Sequence, residues 1–484
     1  MRAGSPRGHL HDDGVIGEHR MSTQTQQSEA AVQPVSSTYR GGIVVWASIV
    51  AALGGLLFGY DTGIVSAALL YVTPEYHLSE FGQQAFVAVL LAGAVVGVIG
   101  GGPVVDRLGR RRTLITVAVI YLVAALGSSL LGWLPLIYAA RFFLGLSVGA
   151  SSLVVPMYIA EIAPARIRGR LVSFNQLFVA LGIFVSYLVG YAFAPMHGWR
   201  WMIGLAAVPA AIMLVGLLPL PESPRWLAAT QRVDAARTVL GRIRRTEVEA
   251  DTETNEISLS LRQEKAVRFR DLFASRGVRR GIVIGVVVAA TNQLAGVNAI
   301  LYYAPTMLKQ AGFGDSSAIL SSVGIGGAFL LFTLIGLLLV DVLGRRPLLI
   351  GGTIIVAVAL SAIGALYLVP QSTTTGGLLV VGLIVYEGVF AASLGIAIWL
   401  VNSEVLPNRV RGKAQSFGTV THWGLDLVIS LVVLTVISSL SATGLFWAFA
   451  VFAIAGAIVM WRILPETKGR TLEEIETSLE HGAR

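Results

Sequence analysis

Apolar runs of about 20 residues alternate with short charged segments along most of the chain. In the first half these runs lie near 43–71, 83–105, 113–132, 135–160, 170–194 and 201–220. In the second half they lie near 281–308, 318–340, 347–369, 376–402, 412–440 and 443–464. A helix of about 20 apolar residues crosses a hydrocarbon core of about 30 Å and satisfies its own backbone hydrogen bonds there. The pattern predicts an all-α membrane protein with twelve transmembrane helices in two six-helix bundles.

Polar segments frame the two predicted bundles. The predicted organisation is a disordered cytoplasmic tail at 1–40, a first bundle at 41–221, cytoplasmic linker helices at 222–280, a second bundle at 281–464 and a cytoplasmic tail at 465–484. The sequence MSTQTQQSEA reads like an ordinary N terminus, so Met21 is an alternative start. A short apolar core of the kind found in cleaved signal peptides is not seen near residue 10.

Composition supports the membrane assignment and removes several classes of function. Hydrophobic residues make up 55% of the chain and charged residues 13%. The absence of cysteine excludes disulfides and thiolate metal sites, and His422 alone of the seven histidines lies in an apolar run. We therefore expect no metal and no cofactor. The chain has no phosphate-binding G-x-x-x-x-G-K-[ST] loop and no recognisable nucleophile–base motif, so neither ATP-driven transport nor an enzyme is expected.

The positive charges predict which side of the membrane each segment occupies. Of the 36 lysines and arginines, 33 lie in or beside four short loops, the linker and the two tails. Arg200 and Lys309 fall on the other face, and Arg141 falls inside a span. Because Lys and Arg are retained on the cytoplasmic side, both termini and the linker are predicted to be cytoplasmic, in a cell inner membrane. The net charge of +8 thus reflects topology, and nucleic-acid binding is not expected.

The two halves contain the same motifs in the same order. DRLGRRR, EIAPARIRGR and PESPRW in the first half correspond to DVLGRRP, EVLPNRVRGK and PETKGR in the second. A repeated six-helix unit is typical of secondary transporters, in which two bundles rock about a central site. The acids and arginines of these motifs predict a cytoplasmic latch of Asp106, Arg107, Arg110, Glu161, Arg168, Asp341, Arg345, Glu404 and Arg411. Glu161 with Arg168 and Glu404 with Arg411 repeat one arrangement; alternatively, the arginines only enforce topology.

Nine stretches together resemble the sugar porter branch of the major facilitator superfamily over residues 43–476. They are GGLLFGYDTGIVSAAL, DRLGRRR, YAARFFLG, PMYIAEIAPARIRGRLVSFNQ, PESPRWL, NQLAGVNAILYYAP, DVLGRRP, SEVLPNRVRGKA and PETKGRTLEEIE. The resemblance implies twelve helices, linker helices on the cytoplasmic side and a central substrate site.

Asp61 lies inside the first predicted span, where a carboxylate is costly unless it is paired or hydrated. Arg141, near the start of the fourth span, is the predicted counter-ion. In proton-coupled members of the resembled family the matching Asp binds the proton and the matching Arg tunes it, whereas passive carriers commonly lack the acid. Asp61 therefore favours symport; alternatives are a static ion pair that fixes helix packing and a passive facilitator.

Amides and aromatic rings in the spans are candidates for substrate contacts, since sugars offer many hydroxyls and an apolar ring face. The residues that match family sugar contacts are Gln176, Gln293, Asn298, Trp399 and Trp423, with Asn292 replacing the first of two adjacent Gln. Helix packing or an interfacial belt is the alternative role for such residues. Gly296 and Pro305 are predicted to interrupt the seventh span and Gly395 the tenth.

Several positions depart from the family pattern. Phe329 stands where the family commonly has a sugar-binding Asn, Ile183 stands where some members have Gln, and Ile396 replaces a Pro, which puts the usual bend in doubt. His422 and Asp426 lie one helical turn apart where relatives carry neutral amides. Together with the intramembrane Glu387, these acids suggest a second proton relay or a positively charged substrate. Alternatively, His422 and Asp426 pair with each other or reach water, and Glu387 packs elsewhere.

The sequence therefore predicts a proton-coupled symporter of a monosaccharide or polyol that functions as a monomer in the lipid bilayer. There are two alternatives: a transporter of the same fold that carries a small amine or zwitterion, and a passive sugar facilitator. A nontransporting nutrient receptor is a further class, which tracer flux separates from transport.

Overall fold

The computed structural model describes residues 41–263, 272–273, 275–370, 372–407, 410–470 and 472–481. The tail predicted at 1–40, including Met21, lies outside the described residues. In the first half the helices are α1 (Gly41–Glu75), α2 (Glu80–Leu108), α3 (Arg110–Leu130), α4 (Leu134–Ile162), α5 (Ala165–Phe193), α6 (Trp199–Gly204) and α7 (Ala207–Leu217). The linker forms α8 (Pro224–Ala229), α9 (Val233–Ile243) and α10 (Glu247–Gln263). In the second half they are α11 (Arg276–Leu294), α12 (Val297–Gln310), α13 (Asp315–Leu343), α14 (Arg345–Leu366), α15 (Thr373–Ala392), α16 (Leu394–Glu404), α17 (Arg411–Ile463) and α18 (Leu472–His481).

The described helices supply twelve membrane crossings. Eleven helical segments are long and apolar enough to cross a membrane in the part of the chain that is described. One of them, α17, has 53 residues; at a rise of 1.5 Å per residue it would measure about 80 Å, far beyond one bilayer. Ser441 inside it has non-helical φ and ψ of 74° and 162°, so α17 comprises two crossings. The prediction of a twelve-helix, multi-pass membrane protein is confirmed.

The seventh and tenth crossings are broken into half-helices close to where the sequence indicated bends, and the sixth also divides, into α6 and α7. The seventh divides into α11 and α12 at Gly296, whose φ of 87° is in the region that favours glycine, whereas Pro305 lies inside α12. The tenth divides into α15 and α16 at Ser393 (φ −117°, ψ −84°). The prediction that Gly395 makes this break is wrong, because the chain departs from helical geometry two residues earlier.

The break at Ser393 forms without the proline that Ile396 replaces. The side-chain amide of Asn292 on α11 donates to the Leu394 carbonyl, at 3.2 Å, directly beside the break. Gly352 on α14 leaves room for Ser393, since a Cβ there would overlap the serine side chain. Contacts from two other helices therefore hold the bend.

Glycines bring α2 and α4 into close contact. A Cβ at Gly93 would overlap the Phe142 carbonyl oxygen, and a Cβ at Gly145 would overlap that of Leu90. A Cβ at Gly149 would likewise overlap the Ala94 carbonyl oxygen. The G-x-x-x-G runs of the sequence thus form a reciprocal helix–helix interface.

Within the first bundle α1 packs against α5 and α2 against α4; within the second, α11 and α14 pack against α17. The bundles meet where α2 packs on α17, α5 on α13 and α1 on α12. Hydrogen bonds across this interface join Ser438 to Glu80, at 3.1 Å, and Tyr187 to the Leu301 carbonyl, at 3.0 Å. These contacts lie in the half of the molecule remote from the N-terminal end of α1.

A buried arginine helps to join the linker helices to the first bundle. Arg244, 1% exposed, donates to both carboxylate oxygens of Glu253, at 2.6 and 2.8 Å. Its guanidinium also donates to the Ile162 carbonyl at the end of α4, at 3.2 Å. The hydrogen bond and charge of Arg237 lower the pKa of the exposed Asp251 and link α9 to α10. Residues 264–271 and 274 of the predicted linker lie outside the described residues, and 276–280 belong to α11.

Candidate functional site

Asp61 lies in the core of the first bundle, on α1, with 3% of its surface exposed. The Tyr121 hydroxyl of α3 donates to its Oδ2, at 2.8 Å. The predicted counter-ion does not touch it: Nε of Arg141 donates to the Phe86 carbonyl, at 2.7 Å, and the guanidinium carbon lies 4.1 Å from the centre of the Phe86 ring. The structure therefore shows no static Asp61–Arg141 ion pair.

Asp61 and Arg141 face each other across a small cavity. The cavity has a volume of about 10 Å³, enough for one water molecule. It is also lined by Phe58 and Thr62 of α1 and by Tyr302 of α12. Tyr302 thus brings the second bundle to the cavity that contains the buried acid.

Asp426 lies at the centre of a second polar cluster, on α17, with 1% of its surface exposed. Its Oδ2 accepts a hydrogen bond from the Asn298 amide, at 2.8 Å, and another from the Tyr302 hydroxyl, at 3.1 Å. Its Oδ1 is buried and has no hydrogen-bond partner among the described residues. The acid is therefore held by two neutral donors that share one oxygen.

His422 lies one turn from Asp426 but interacts with a different residue. The Gln293 amide nitrogen is 3.0 Å from a ring nitrogen of His422, and the Gln293 oxygen accepts from Asn298 at 3.3 Å. The rings of Trp399 and Trp423 lie 5.3 and 5.7 Å from the His422 ring, centre to centre. The alternative in which His422 and Asp426 pair with each other is not realised here.

The cluster therefore joins six residues predicted as substrate contacts. They are Gln293, Asn298, Trp399, His422, Trp423 and Asp426. Trp423 also reaches the first bundle, where the Phe58 ring lies 5.0 Å away. Among the described residues no group of His, Asp and Glu side chains is placed to hold a metal ion.

The remaining predicted substrate contacts lie outside the cluster around Asp426. Gln176 is partly exposed on α5, in the first bundle, and makes no hydrogen bond to another described residue. Asn292 is buried and bonded to the backbone at the break in the tenth crossing. Phe329 and Ile183 are both buried. The hydrogen-bonded cluster is thus built from the second bundle alone.

Glu387 is fully buried on α15, and neither carboxylate oxygen has a partner among the described residues. The hydroxyls of the nearby Tyr187 and Tyr386 donate instead to the carbonyls of Leu301 and Ala295, at 3.0 and 2.7 Å. Glu387 therefore stands apart from the cluster around Asp426.

The predicted latch residues of the first half form a cluster at the end of the bundle nearest the linker. Arg110 pairs with Glu161 at 2.8 Å, and the Ser223 hydroxyl donates to the same carboxylate. Glu222 accepts the backbone N–H groups of Arg110 and Arg111, at 2.8 and 2.9 Å. A carboxylate there interacts favourably with the N-terminal end of α3.

The second half repeats this cluster almost residue for residue. Arg345 pairs with Glu404 at 3.1 Å, and the Thr467 hydroxyl donates to Glu404 at 2.6 Å. Glu466 accepts the backbone N–H groups of Arg345 and Arg346, at 3.0 and 3.1 Å. Each cluster lies within one half of the chain.

Other predicted latch residues contribute less to these clusters. Arg168 is exposed and makes no ion pair with Glu161, and Arg411 donates to the Leu406 carbonyl rather than to Glu404. Asp106 is largely exposed, 3.9 Å from Arg110, whereas Asp341 lies 3.0 Å from Arg345. Arg107 is exposed. Glu161 and Glu404 thus pair with arginines of the preceding motif instead of arginines of their own.

Several residues of these sites were not predicted, among them Glu222, Glu466, Tyr302 and Tyr121. Glu222 and Glu466 lie in the repeated PESPRW and PETKGR motifs, so the repeat itself was the available signal. Tyr302 lies within the quoted NQLAGVNAILYYAP stretch, but nothing distinguishes it there from its neighbour Tyr303. Tyr121 lies in an apolar run without a motif.

A twelve-helix frame of two bundles, with a buried acid and arginine in one and an amide–aromatic cluster in the other, defines a secondary transporter of the major facilitator type. The family profile described as "Sugar (and other) transporter" matches residues 47–479. The chain belongs to this family, and it is a transporter rather than an enzyme.

Curated relatives and solved structures resemble the chain over nearly its whole length. It is 37% identical to the glucose transporter GlcP of Staphylococcus epidermidis, over 90% of this chain and 98% of that protein. It is 36% identical to the arabinose-proton symporter of Bacillus subtilis, over 92% of this chain and 96% of that protein. The structure of the proton:xylose symporter XylE bound to 6-bromo-6-deoxy-D-glucose matches with a TM-score of 0.77 and 32% identity, covering 91% of this chain and all of that one.

Proposed function

We propose that this protein is a proton-coupled symporter that carries a monosaccharide or polyol across the cell inner membrane by alternating access. The observation that carries the proposal is the hydroxyl of Tyr302. It donates to Asp426 in the amide–aromatic cluster, while the tyrosine also lines the cavity between Asp61 and Arg141. One side chain thus contacts both the candidate proton site and the candidate substrate site.

The first bundle supplies the proton site. Asp61 is the group that takes up the proton, and the Tyr121 hydroxyl orients its carboxylate. The Arg141 guanidinium stabilises the ionised carboxylate more strongly as it approaches. Since the two side chains are separated by a cavity of about one water, a small displacement of α4 relative to α1 changes that interaction.

The second bundle supplies most of the sugar site. The Gln293 and Asn298 amides can donate to and accept from sugar hydroxyls, and the partly exposed Trp399 offers an aromatic face. Gln176, partly exposed on α5, is the contact proposed for the first bundle, and Asn292 shapes the adjacent helix break. His422, Trp423 and Asp426 complete the wall.

Alternating access follows from the repeated architecture. The bundles contact each other in the half remote from the N-terminal end of α1, as the Glu80–Ser438 hydrogen bond illustrates. The Arg110–Glu161 and Arg345–Glu404 clusters lie at the opposite end, and we propose that they exchange partners as that end closes. We place both termini and the linker in the cytoplasm, assign the bundles to 41–221 and 281–464, and propose that one chain suffices.

One proton per substrate is enough for concentrative uptake. Moving one charge through a membrane potential of 100 mV supplies about 2.3 kcal/mol. A tenfold concentration ratio requires about 1.4 kcal/mol. The stoichiometry of one proton on Asp61 is therefore consistent with accumulation of the substrate.

Currents from proteoliposomes on a solid-supported membrane test the proposal. Xylose, glucose, galactose, arabinose and inositol are applied to the wild type and to Asp61→Asn. An inward positive current with at least one of them, lost in Asp61→Asn, is expected. Sugar flux without current would instead indicate a passive facilitator, and the absence of both tracer flux and current would support a receptor.

A further inference from the structure

The site contains an ionisable group for which a neutral sugar offers no matching charge. Asp426 is 1% exposed, and no described residue donates a hydrogen bond to its Oδ1. Both of its donors, Asn298 and Tyr302, are neutral and share the other oxygen. A buried carboxylate normally has a cationic partner or several donors, since its desolvation is costly.

The surrounding protein does not supply that cation. Asp426 forms no ion pair with any Lys or Arg among the residues described here, and His422, one turn away, interacts with Gln293. Arg141 is bonded to the Phe86 carbonyl and lines the Asp61 cavity. The positive charge that balances an ionised Asp426 therefore comes from outside the described side chains, either as a proton or as a cationic group of the substrate.

We propose that the preferred substrate is an amino sugar whose ammonium group donates to Oδ1 of Asp426. This inference rests on the proposed function, because it names the class of sugar that the same site takes. The ring hydroxyls meet the amides of Gln293 and Asn298, and the ring face meets Trp399. The ammonium–carboxylate hydrogen bond is charge-assisted and is stronger than one from a hydroxyl.

The neighbours of Asp426 favour an amino sugar over a simple amine. Amides that contact each other and His422 provide both donors and acceptors, which match a polyhydroxylated ring. The indole of Trp399, 5.3 Å from the His422 ring, adds an apolar face that a small alkyl amine would leave largely uncovered. One acid among several neutral polar groups is the pattern expected for a solute with one cationic group and several hydroxyls.

The test measures binding and transport separately, with purified protein in detergent and in proteoliposomes. Glucose is compared with glucosamine, 3-amino-3-deoxyglucose and 6-amino-6-deoxyglucose, because the position of the amine sets its reach to Asp426. N-Acetylglucosamine serves as the neutral analogue and ethanolamine as the amine without a ring. Dissociation constants come from isothermal titration calorimetry, and transport comes from tracer uptake and competition.

We expect at least one amino sugar to bind at least tenfold more tightly than glucose, and N-acetylglucosamine to lack this advantage. Asp426→Asn should remove the tenfold preference, and a cooperative thermal melt shows that the variant is folded. Glu387→Gln is the matched control, because it removes a buried carboxyl that stands apart from this cluster, and it should retain the preference.

Two results would overturn the inference while leaving the proposed function intact. One is glucose uptake with no amino sugar bound more tightly than glucose; the other is a preference that survives Asp426→Asn. Ethanolamine that competes as strongly as the best amino sugar would contradict the requirement for a ring. If no sugar of either kind is bound or transported, the proposed function fails together with this inference.

Discussion

The Tyr302 hydroxyl donates a 3.1 Å hydrogen bond to Asp426, and the same side chain lines the cavity shared by Asp61 and Arg141. Tyr302 lies on α12, the half-helix that begins at the break at Gly296. A half-helix can tilt without moving the rest of its crossing. Any displacement of α12 would therefore alter the environment of both acids together.

Tyr302→Phe should weaken coupling more than it weakens substrate binding. The variant keeps the ring that lines the cavity but removes the hydroxyl that contacts Asp426. We expect sugar affinity within about threefold of the wild type, because the lost hydrogen bond joins two protein groups, and we expect a larger loss of proton-driven accumulation. Binding calorimetry and accumulation in proteoliposomes measure the two effects.

Tyr303→Phe is the matched control for this experiment. The neighbouring hydroxyl donates to the Ser430 carbonyl, at 3.2 Å, and does not reach either acid. Coupling should be retained in this variant. Equal loss of accumulation in the two variants would show that α12 tolerates neither change and that the Tyr302–Asp426 contact has no special role.

Glu222→Ala and Glu466→Ala should each destabilise the protein. Each acid accepts two backbone N–H groups at the start of a helix, at 2.8–3.1 Å. Hydrogen bonds to a charged group contribute about 1.5–3 kcal/mol, so we expect a clear fall in melting temperature in detergent. Asp106→Ala is the control, because its side chain is 79% exposed and its nearest arginine contact is 3.9 Å. An equally large fall in the melting temperature of Asp106→Ala would contradict the conclusion that Glu222 and Glu466 stabilise the protein through their backbone hydrogen bonds.

Gly145→Ala should disrupt the contact between α2 and α4. The added methyl group would overlap the Leu90 carbonyl oxygen, which belongs to a helix backbone and cannot rotate away. Overpacking of this kind costs about 1–3 kcal/mol, so lower yield and a lower melting temperature are expected. Gly100→Ala places the same methyl group in open space on α2. The melting temperature of this control should match or exceed that of the wild type, and equal damage in both would contradict the close-packed interface.

Glu387→Met should raise the melting temperature and leave coupled uptake within about twofold of the wild type. Both carboxylate oxygens are buried without partners, and replacing such a group with an apolar one removes a penalty of about 1–3 kcal/mol. Thermal melts and uptake assays measure the two quantities. Glu387→Gln keeps the shape and polarity without the ionisable group. Loss of proton-driven uptake in both variants would identify Glu387 as a second proton-carrying residue instead.

The sequence was sufficient for the fold because each crossing is a local feature. Apolar runs such as 83–105 must be helical in a bilayer, and the observed helix Glu80–Leu108 differs by a few residues at each end. The glycines at 93 and 145 also indicated a close helix contact correctly. The break of the tenth crossing at Ser393 was misplaced because it depends on Asn292, about 100 residues away.

The candidate site was only partly predictable, because many of its contacts join residues that are far apart in the sequence. His422, Trp423 and Asp426 share one helix, so their proximity could be inferred from spacing. Tyr121 touches Asp61 from a different helix, and no pattern in the sequence connects the two. Glu161 was expected to act with Arg168 of its own motif, but it pairs with Arg110, which lies 51 residues earlier. Contacts between helices depend on packing that spacing does not specify.

Sugar accumulation driven by an imposed pH gradient tests whether Asp61 couples transport to protons. Proteoliposomes with an alkaline interior receive labelled sugar at acidic external pH, with and without a protonophore, for the wild type and Asp61→Asn. We expect the wild type to accumulate sugar at least tenfold in a protonophore-sensitive manner. Asp61→Asn should only equilibrate it, while still exchanging internal for external sugar, because exchange needs no net proton movement. Accumulation that persists in Asp61→Asn, or that ignores the protonophore, would contradict proton coupling through this residue.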